Sequence, residues 1–230
     1  INHTKDKSAN LFNIIIKKGY LLDFDLTDSR FELRRENNET EIKSSLKTRG
    51  EFNFLKLKII TSLLNFNMDN VKDVKGKTDL KTNIDFKLNK KFKIKNLVYS
   101  LDGEITNAEI HFKKKKIIKK YLPNYKEKIT LKNSKIKLIK TEAMSTIELN
   151  GFMKINNQFD SFNLKQIYDY NKKSFNIVGK ADLTNSQINI SKLNYIKDDG
   201  KKSEIDFNFY FIPKKYITIK KFIFQSNKTV

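Results

Sequence analysis

The search for chemistry begins with two histidines, His3 and His111, because the 230-residue chain contains no cysteine. Without cysteine there is no disulfide framework, no thiol nucleophile and no Cys-ligated metal. His3 lies in the polar opening stretch INHTKDKSAN. His111 is flanked by Ile110 and Phe112, and a period of two places it on the face opposite those apolar neighbours. Neither histidine has a second His or a carboxylate pair at ligand spacing. The carboxylates Asp85, Asp198, Asp199 and Asp206 fall at wet positions or in turns, and no pair is placed for acid and base roles. GxSxG, GxGxxG and P-loop patterns are absent, and seven glycines are too few for phosphate-cradling loops. The chain is therefore read as non-enzymatic, and no cofactor or metal is expected.

Lysine is the next candidate. The formal net charge is +21, yet only Arg30, Arg34, Arg35 and Arg49 among the 47 basic residues are arginines. Nucleic-acid readers favour Arg, whose planar fork matches bases and phosphates. Single-strand binders also combine aromatics and cations on one face. Here Phe86 shares its phase with Ile84 and Leu88, and Phe207 with Ile205, while lysines take the opposite phase. That separation argues against a nucleic-acid partner and for lysine as a solvated outer face. One dense run, Lys113–Lys116 with Lys119 and Lys120, is interleaved with Ile117, Ile118 and Tyr121. It reads as a solvated loop, or as a contact to anionic headgroups at about 1 kcal/mol per basic residue.

What must position these residues is strand. From Ser174 to Ser226 apolar and polar residues alternate almost without interruption: Ile205, Phe207, Phe209 and Phe211 point one way, Asp206, Asn208 and Tyr210 the other. Ile217, Ile219, Phe222 and Phe224 continue the pattern after Pro213-Lys214-Lys215. Similar alternation runs through residues 19–34, 42–64, 78–101, 104–112 and 136–164. Glu36–Glu39, Asn89–Lys91, Asp102-Gly103, Asn156-Asn157, Asn171–Lys173 and Asp199-Gly200 read as turns. Residues 65–77 read as a loop, and 113–127 as holding one short helix broken by Pro123. Residues 1–10 read as a polar leader, and 11–230 as one repetitive unit. With no run of about twenty apolar residues, the chain is expected to be an internal segment of a longer protein.

A repeat underlies the pattern. Asp25-Leu26-Thr27-Asp28-Ser29-Arg30-Phe31-Glu32-Leu33 and Asp182-Leu183-Thr184-Asn185-Ser186-Gln187-Ile188-Asn189-Ile190 agree in type position for position. Thr130–Leu138 and Glu104–Phe112 follow the same plan, with a weak copy at Asp79-Leu80. The anchors Leu26, Ile105, Leu131 and Leu183 are 79, 26 and 52 residues apart, close to multiples of 26. Two strands of thirteen residues would account for that spacing, and thirteen is long for a strand. The fold class expected is all-β: a long antiparallel meander of repeated strands forming an elongated twisted sheet or open, taco-like β-groove. Its apolar face holds too much greasy surface to leave in water, at roughly 1.5–3 kcal/mol per fully buried large side chain. Either a second sheet covers it, as in a structural or adhesive β-sandwich with protein partners, or something apolar fills the groove.

Gly179 to Phe211 (GKADLTNSQINISKLNYIKDDGKKSEIDFNFYF) followed by YITIKKFIFQS, with Gly76 to Glu104 upstream, resembles the AsmA-like superfamily, especially its long YhdP-type, TamB-like members. The resemblance spans half to three quarters of the chain and rests on a Gly, an Asp-Leu-Thr-like step and an alternating strand. It implies a periplasmic protein anchored to the inner membrane by a segment not present here, whose β-groove conducts phospholipids between inner and outer membranes. It supplies no catalytic residues. It implies a role for the apolar face, that of sheltering acyl chains, and the residues expected to do so are Ile84, Phe86, Leu88, Ile188, Ile190, Ile205, Phe207, Phe209, Ile217 and Ile219. The membranes themselves would be met by parts outside this segment.

Overall fold

The computed structural model describes residues 2–5, 10–36, 39–63, 68–113, 121–122, 124–156 and 158–226. In chain order the strands are β1 (Asn2–Lys5), β2 (Asn10–Ile16), β3 (Tyr20–Leu21), β4 (Phe24–Asp25), β5 (Ser29–Glu36) and β6 (Glu39–Asn53). Helix α1 (Phe54–Leu63) leads to β7 (Val71–Leu88), β8 (Ile94–Phe112), β9 (Lys128–Lys140), β10 (Met144–Lys154), β11 (Asp160–Asp169) and β12 (Ser174–Asp182). The chain closes with β13 (Ile188–Ile190), a 3-10 turn (Ser191–Leu193), β14 (Tyr195–Lys197), β15 (Ser203–Ile212) and β16 (Tyr216–Ser226). Fourteen of the strands form one antiparallel sheet in the order β1-β2-β5-β6-β7-β8-β9-β10-β11-β12-β15-β16, with β3 and β4 attached beside β6. The sheet is open, because β1 and β16 end it without pairing to each other. The all-β, open-meander expectation therefore holds, and β7 and β8, at 18 and 19 residues, are longer than thirteen.

The two ends of the strands differ. At one end the connections are tight, as between Leu88 and Ile94, Lys140 and Met144, Asp169 and Ser174, and Ile212 and Tyr216. At the other end the β6–β7 and β12–β15 connections are long, and they carry α1 and the β13–β14 hairpin. There α1 turns Phe54, Leu57 and Ile60 onto a core of Phe24, Phe52, Val74, Ala108 and Leu131. A second core, Ala181, Leu183 and Ile188, lies under the two-stranded β13–β14 hairpin. Met153 and Phe162 pack against both cores.

Several local expectations change. Residues 54–63 are helix rather than a continuing strand; the Asn53 carboxamide accepts the Lys56 amide at 3.0 Å, an N-cap, and the i, i+3, i+6 spacing of Phe54, Leu57 and Ile60 outweighs a period of two. The stretch 65–77 is a loop only in part, since β7 begins at Val71, and the polar opening contains β1, paired to β2. Asp199-Gly200 does not join two paired strands; it lies between β14, in the small sheet, and β15, in the large one. The short helix expected near 113–127 lies largely outside the described residues, as do residues 37 and 38 of the first hairpin turn.

Asp102-Gly103 is not a turn: β8 runs straight through it. Gly103 has φ of 154°, and a Cβ there would be driven into the Asp79 carbonyl oxygen of the neighbouring strand. The glycine marks close backbone approach rather than reversal. Gly103→Ala is expected to cost about 1–3 kcal/mol in urea unfolding, and a change within error would remove this explanation.

The repeat survives with a different geometry. In the first and last copies Asp25 and Asp182 each accept the amide two residues on, from Thr27 and Thr184, both at 2.8 Å, and the same threonines' hydroxyls at 2.6 and 2.5 Å. The amides of Ser29 and Ser186 then close onto the carbonyls of Leu26 and Leu183 at 3.1 and 3.0 Å. In all four copies the fifth position is small and buried: Ser29, Ala108, Ser134 and Ser186. The copies in β8 and β9 sit on adjacent antiparallel strands, so their 26-residue spacing is one strand plus a long connection, not two strands. There Ile105 faces Ser134 while Ala108 faces Leu131. Each large second position meets the other copy's small fifth position.

Candidate functional site

Directly opposed residues of an antiparallel ladder project from the same face, so register alone assembles the site. Leu80 is opposite Gly103, then Ile136, Leu149, Leu164, Gly179, Phe207 and Phe222 follow across β7 to β16. One step nearer the tight turns, Leu46, Thr82, Leu101, Leu138, Ile147, Gln166, Ile177, Phe209 and Ile219 form a second row. A third contains Phe31, Ser44, Ile84, Tyr99, Lys140, Ser145, Tyr168, Phe175, Phe211 and Ile217. The result is one apolar face crossing the sheet almost from edge to edge.

The caps cover the face at the long-connection end, and nearer the tight turns only the third row has buried members, Tyr99 and Ser145. In the second row every side chain from Leu46 to Phe209 remains half-buried although strands flank it on both sides, and Ile219 on β16 is 64% exposed. Among the described residues the only other sheet is the two-stranded β13–β14, so no second layer covers these rows. Rings stabilise the face locally. Phe207 lies over Gly179, whose missing side chain makes room for it. Phe207 stacks on Phe209 at 5.1 Å, and Tyr168, Phe175 and Phe211 form a ladder at 4.5 and 4.8 Å.

The structure unites most of the residues expected to meet acyl chains. Ile205, Phe207 and Phe209 lie beside Ile219 and Ile217 on β15 and β16. Ile84, Phe86 and Leu88 share the face but belong to β7, six strands away in sheet order. Ile188 and Ile190 are not in the sheet: Ile188 is buried in the second core and Ile190 packs against it, so both fill a cap. Sequence reasoning missed Tyr99 and Lys140. The Lys140 ammonium sits over the Tyr99 and Tyr170 rings at 5.6 and 5.5 Å, a cation on the apolar face. Tyr99 is buried with an unpartnered hydroxyl, and burial pushes its pKa up to about 12.

The opposite face is polar and carries cross-strand ion pairs such as Lys165–Glu148 at 2.7 Å and Lys180–Glu204 at 2.6 Å. A trough of about 690 Å³ crosses its first half. Most of its lining, including Ile15, Arg30, Lys43, Asp85, Val98 and Ile139, has the polar face's parity, so this concavity opens on the wet side. His111 is on the same face, as expected, and its Nε2 lies 2.7 Å from Glu109. Glu109 also pairs with Lys128 at 2.5 Å, and these hydrogen bonds, Lys128 first and His111 second, hold its carboxyl down at about 2. A depressed carboxylate stabilises the fold above its unfolded value, and that contribution disappears as pH falls toward the folded one. The Glu109 side-chain carbon, followed by NMR, is expected to titrate near pH 2; a midpoint at the ordinary glutamate value would show that these contacts do not form.

Comparison with family models, curated proteins and solved structures finds no match to this chain. The site therefore stands on its own geometry. Among the described residues no group of His and carboxylate side chains could hold a metal, and no helix is long and apolar enough to cross a membrane.

Proposed function

We propose that this chain is a segment of a β-groove that shelters the acyl chains of phospholipids and passes them along its length. The observation that carries the reading is the set of apolar rows running across β6 to β16 without a covering layer. A mainly apolar strip, interrupted at Thr82, Gln166, Ser44, Ser145 and Lys140, suits a ligand that is apolar over most of its length. The strip crosses the strands, so it runs along the direction in which further strands would extend an open sheet. The resemblance to AsmA-like envelope proteins supports the same reading, and with it a periplasmic setting between inner and outer membranes.

Native mass spectrometry of the purified chain is the direct test. Co-purifying phospholipid, lost on detergent washing and regained from vesicles, is the expected result; a chain that remains lipid-free after exposure to vesicles would end the proposal.

A further inference from the structure

The tight turns at the uncovered end hold residues that the fold does not need. In the β7–β8 turn Asn89 does the structural work. Its side-chain oxygen accepts the amides of Lys91 and Lys93 at 2.9 and 3.0 Å, and its carbonyl accepts the Phe92 amide at 2.9 Å. Phe92 is 82% exposed at φ 55°, a left-handed conformation that is an outlier for a bulky residue. Lys173 and Lys214 hold the same kind of position in the β11–β12 and β15–β16 turns, at φ 50° and 62°, where glycine or asparagine would sit without strain. Strain retained without any packing return points to a role outside the fold.

Three of the four tight turns form a cationic rim, interrupted at the β9–β10 turn, which carries the exposed Glu142 and no lysine. Lys90, Lys91, Lys93, Lys173, Lys214 and Lys215 are exposed, and no ion pair holds them among the described residues. Lys172 pairs only loosely with Asp169, at 3.8 Å. The β5–β6 end differs: Glu36 and Glu39 there pair with Arg34 and Lys95. The apolar face reaches the rim directly, with Leu88 opposite Ile94 and Phe211 opposite Ile217 next to their turns. At the opposite end the caps cover that face, so an amphiphile has one side from which to lie on it.

We infer that the lysine rim from β7 to β16 holds the anionic phosphate headgroup of a lipid whose acyl chains lie on the apolar rows, making anionic phospholipid the preferred cargo. This rests on the acyl-sheltering reading above. Apolar rows next to a line of unpaired cations match an amphiphile with an anionic head, and Phe92 at the tip is placed as an interfacial aromatic.

The test offers the whole chain mixed vesicles of phosphatidylglycerol and phosphatidylcholine and measures extracted lipid by mass spectrometry. Three proteins are compared: the native chain, a rim variant with Lys90, Lys91, Lys93, Lys214 and Lys215 changed to Gln, and a control with Lys77, Lys81, Lys87, Lys135 and Lys137 changed to Gln on the polar face. The expected result is an enrichment of phosphatidylglycerol on the order of tenfold in the native chain and the control, lost in the rim variant while phosphatidylcholine uptake is unchanged. Soluble glycerol phosphate is expected to leave the enrichment intact. Phe92→Gly, which relieves the backbone, is expected to keep the fold and slow uptake. Uptake without enrichment, equal loss in the control, displacement by glycerol phosphate, or binding to intact vesicles without extraction would each overturn the headgroup assignment alone. A chain that takes up neither lipid would overturn the acyl-sheltering reading and this one with it.

Discussion

Replacing Lys197 with Met is expected to lower the unfolding free energy by about 1–3 kcal/mol and to release the β13–β14 hairpin first. Lys197 is 1% exposed, the largest side chain so fully buried. Its ammonium donates to the carbonyls of Leu183, Thr184, Ser186 and Asp198 at 2.9, 3.0, 2.8 and 3.0 Å. Desolvation lowers its pKa, but the four carbonyl dipoles favour the charged form, and three protons are shared among four acceptors. Methionine keeps most of the stem volume but removes the donor from the Ser186 and Asp198 carbonyls, while those of Leu183 and Thr184 retain only the Ser186 and Gly200 amides, at 3.0 and 2.9 Å. Three of the carbonyls belong to the last copy of the repeat, where Asn185 is also held by Asp160 at 2.8 Å, so the loss propagates to the cap over Ala181, Leu183 and Ile188. Urea unfolding gives the magnitude, and hydrogen exchange at the β13–β14 amides shows where it falls. A variant within 1 kcal/mol of the native chain, with unchanged exchange, would mean that the ammonium is not what holds the cap.

The second large effect concerns lipid. Phe209→Asp is expected to reduce phospholipid uptake by more than about tenfold, because a carboxylate on a surface that must contact hydrocarbon costs several kcal/mol to desolvate. Phe209 is the last member of the second row before the edge strand, stacked between Phe207 and Phe222 at 5.1 and 6.4 Å. Because Phe209 also packs within the sheet, Ile219→Asp provides the cleaner arm. Ile219 faces Phe209 on the edge strand and is 64% exposed, so its change is expected to leave the melting temperature almost unaltered while still interrupting the row. If folded Ile219→Asp and Phe209→Asp both take up phospholipid like the native chain, the rows are not the acyl-contacting surface.

Some of this could be read from the residues alone. Strict alternation through Ile205–Phe211 and Ile217–Ile219 sufficed to place those side chains on one face, because a period of two leaves no freedom once a segment is extended. The Asp-Leu-Thr step also carried its own structure: Asp25 and Asp182 build the same local turn wherever they stand, since the bond spans only two residues. Composition was enough to argue against thiol and Cys-metal chemistry. Periodicity failed where two patterns overlapped. Residues 52–60 satisfy both a strand and a helix, and the Asn53 cap with burial of Phe54, Leu57 and Ile60 against the sheet selected the helix. Gly103 and Asp199-Gly200 carried turn signals whose meaning depended on the neighbouring strand, which no local window contains.

What the sequence by itself determined is the two-faced strand and the repeated turn, since both follow from contacts a few residues apart. The tertiary structure decided which strands are neighbours, and with that everything long-range. It joined Ile84 to Phe211 and Ile217 in one row, moved Ile188 and Ile190 into a cap, buried Lys197 among four carbonyls, and left the apolar face open beside its lysine-bearing turns. Register and coverage are set by pairing between distant segments, and alternation is silent about which partner a face will meet.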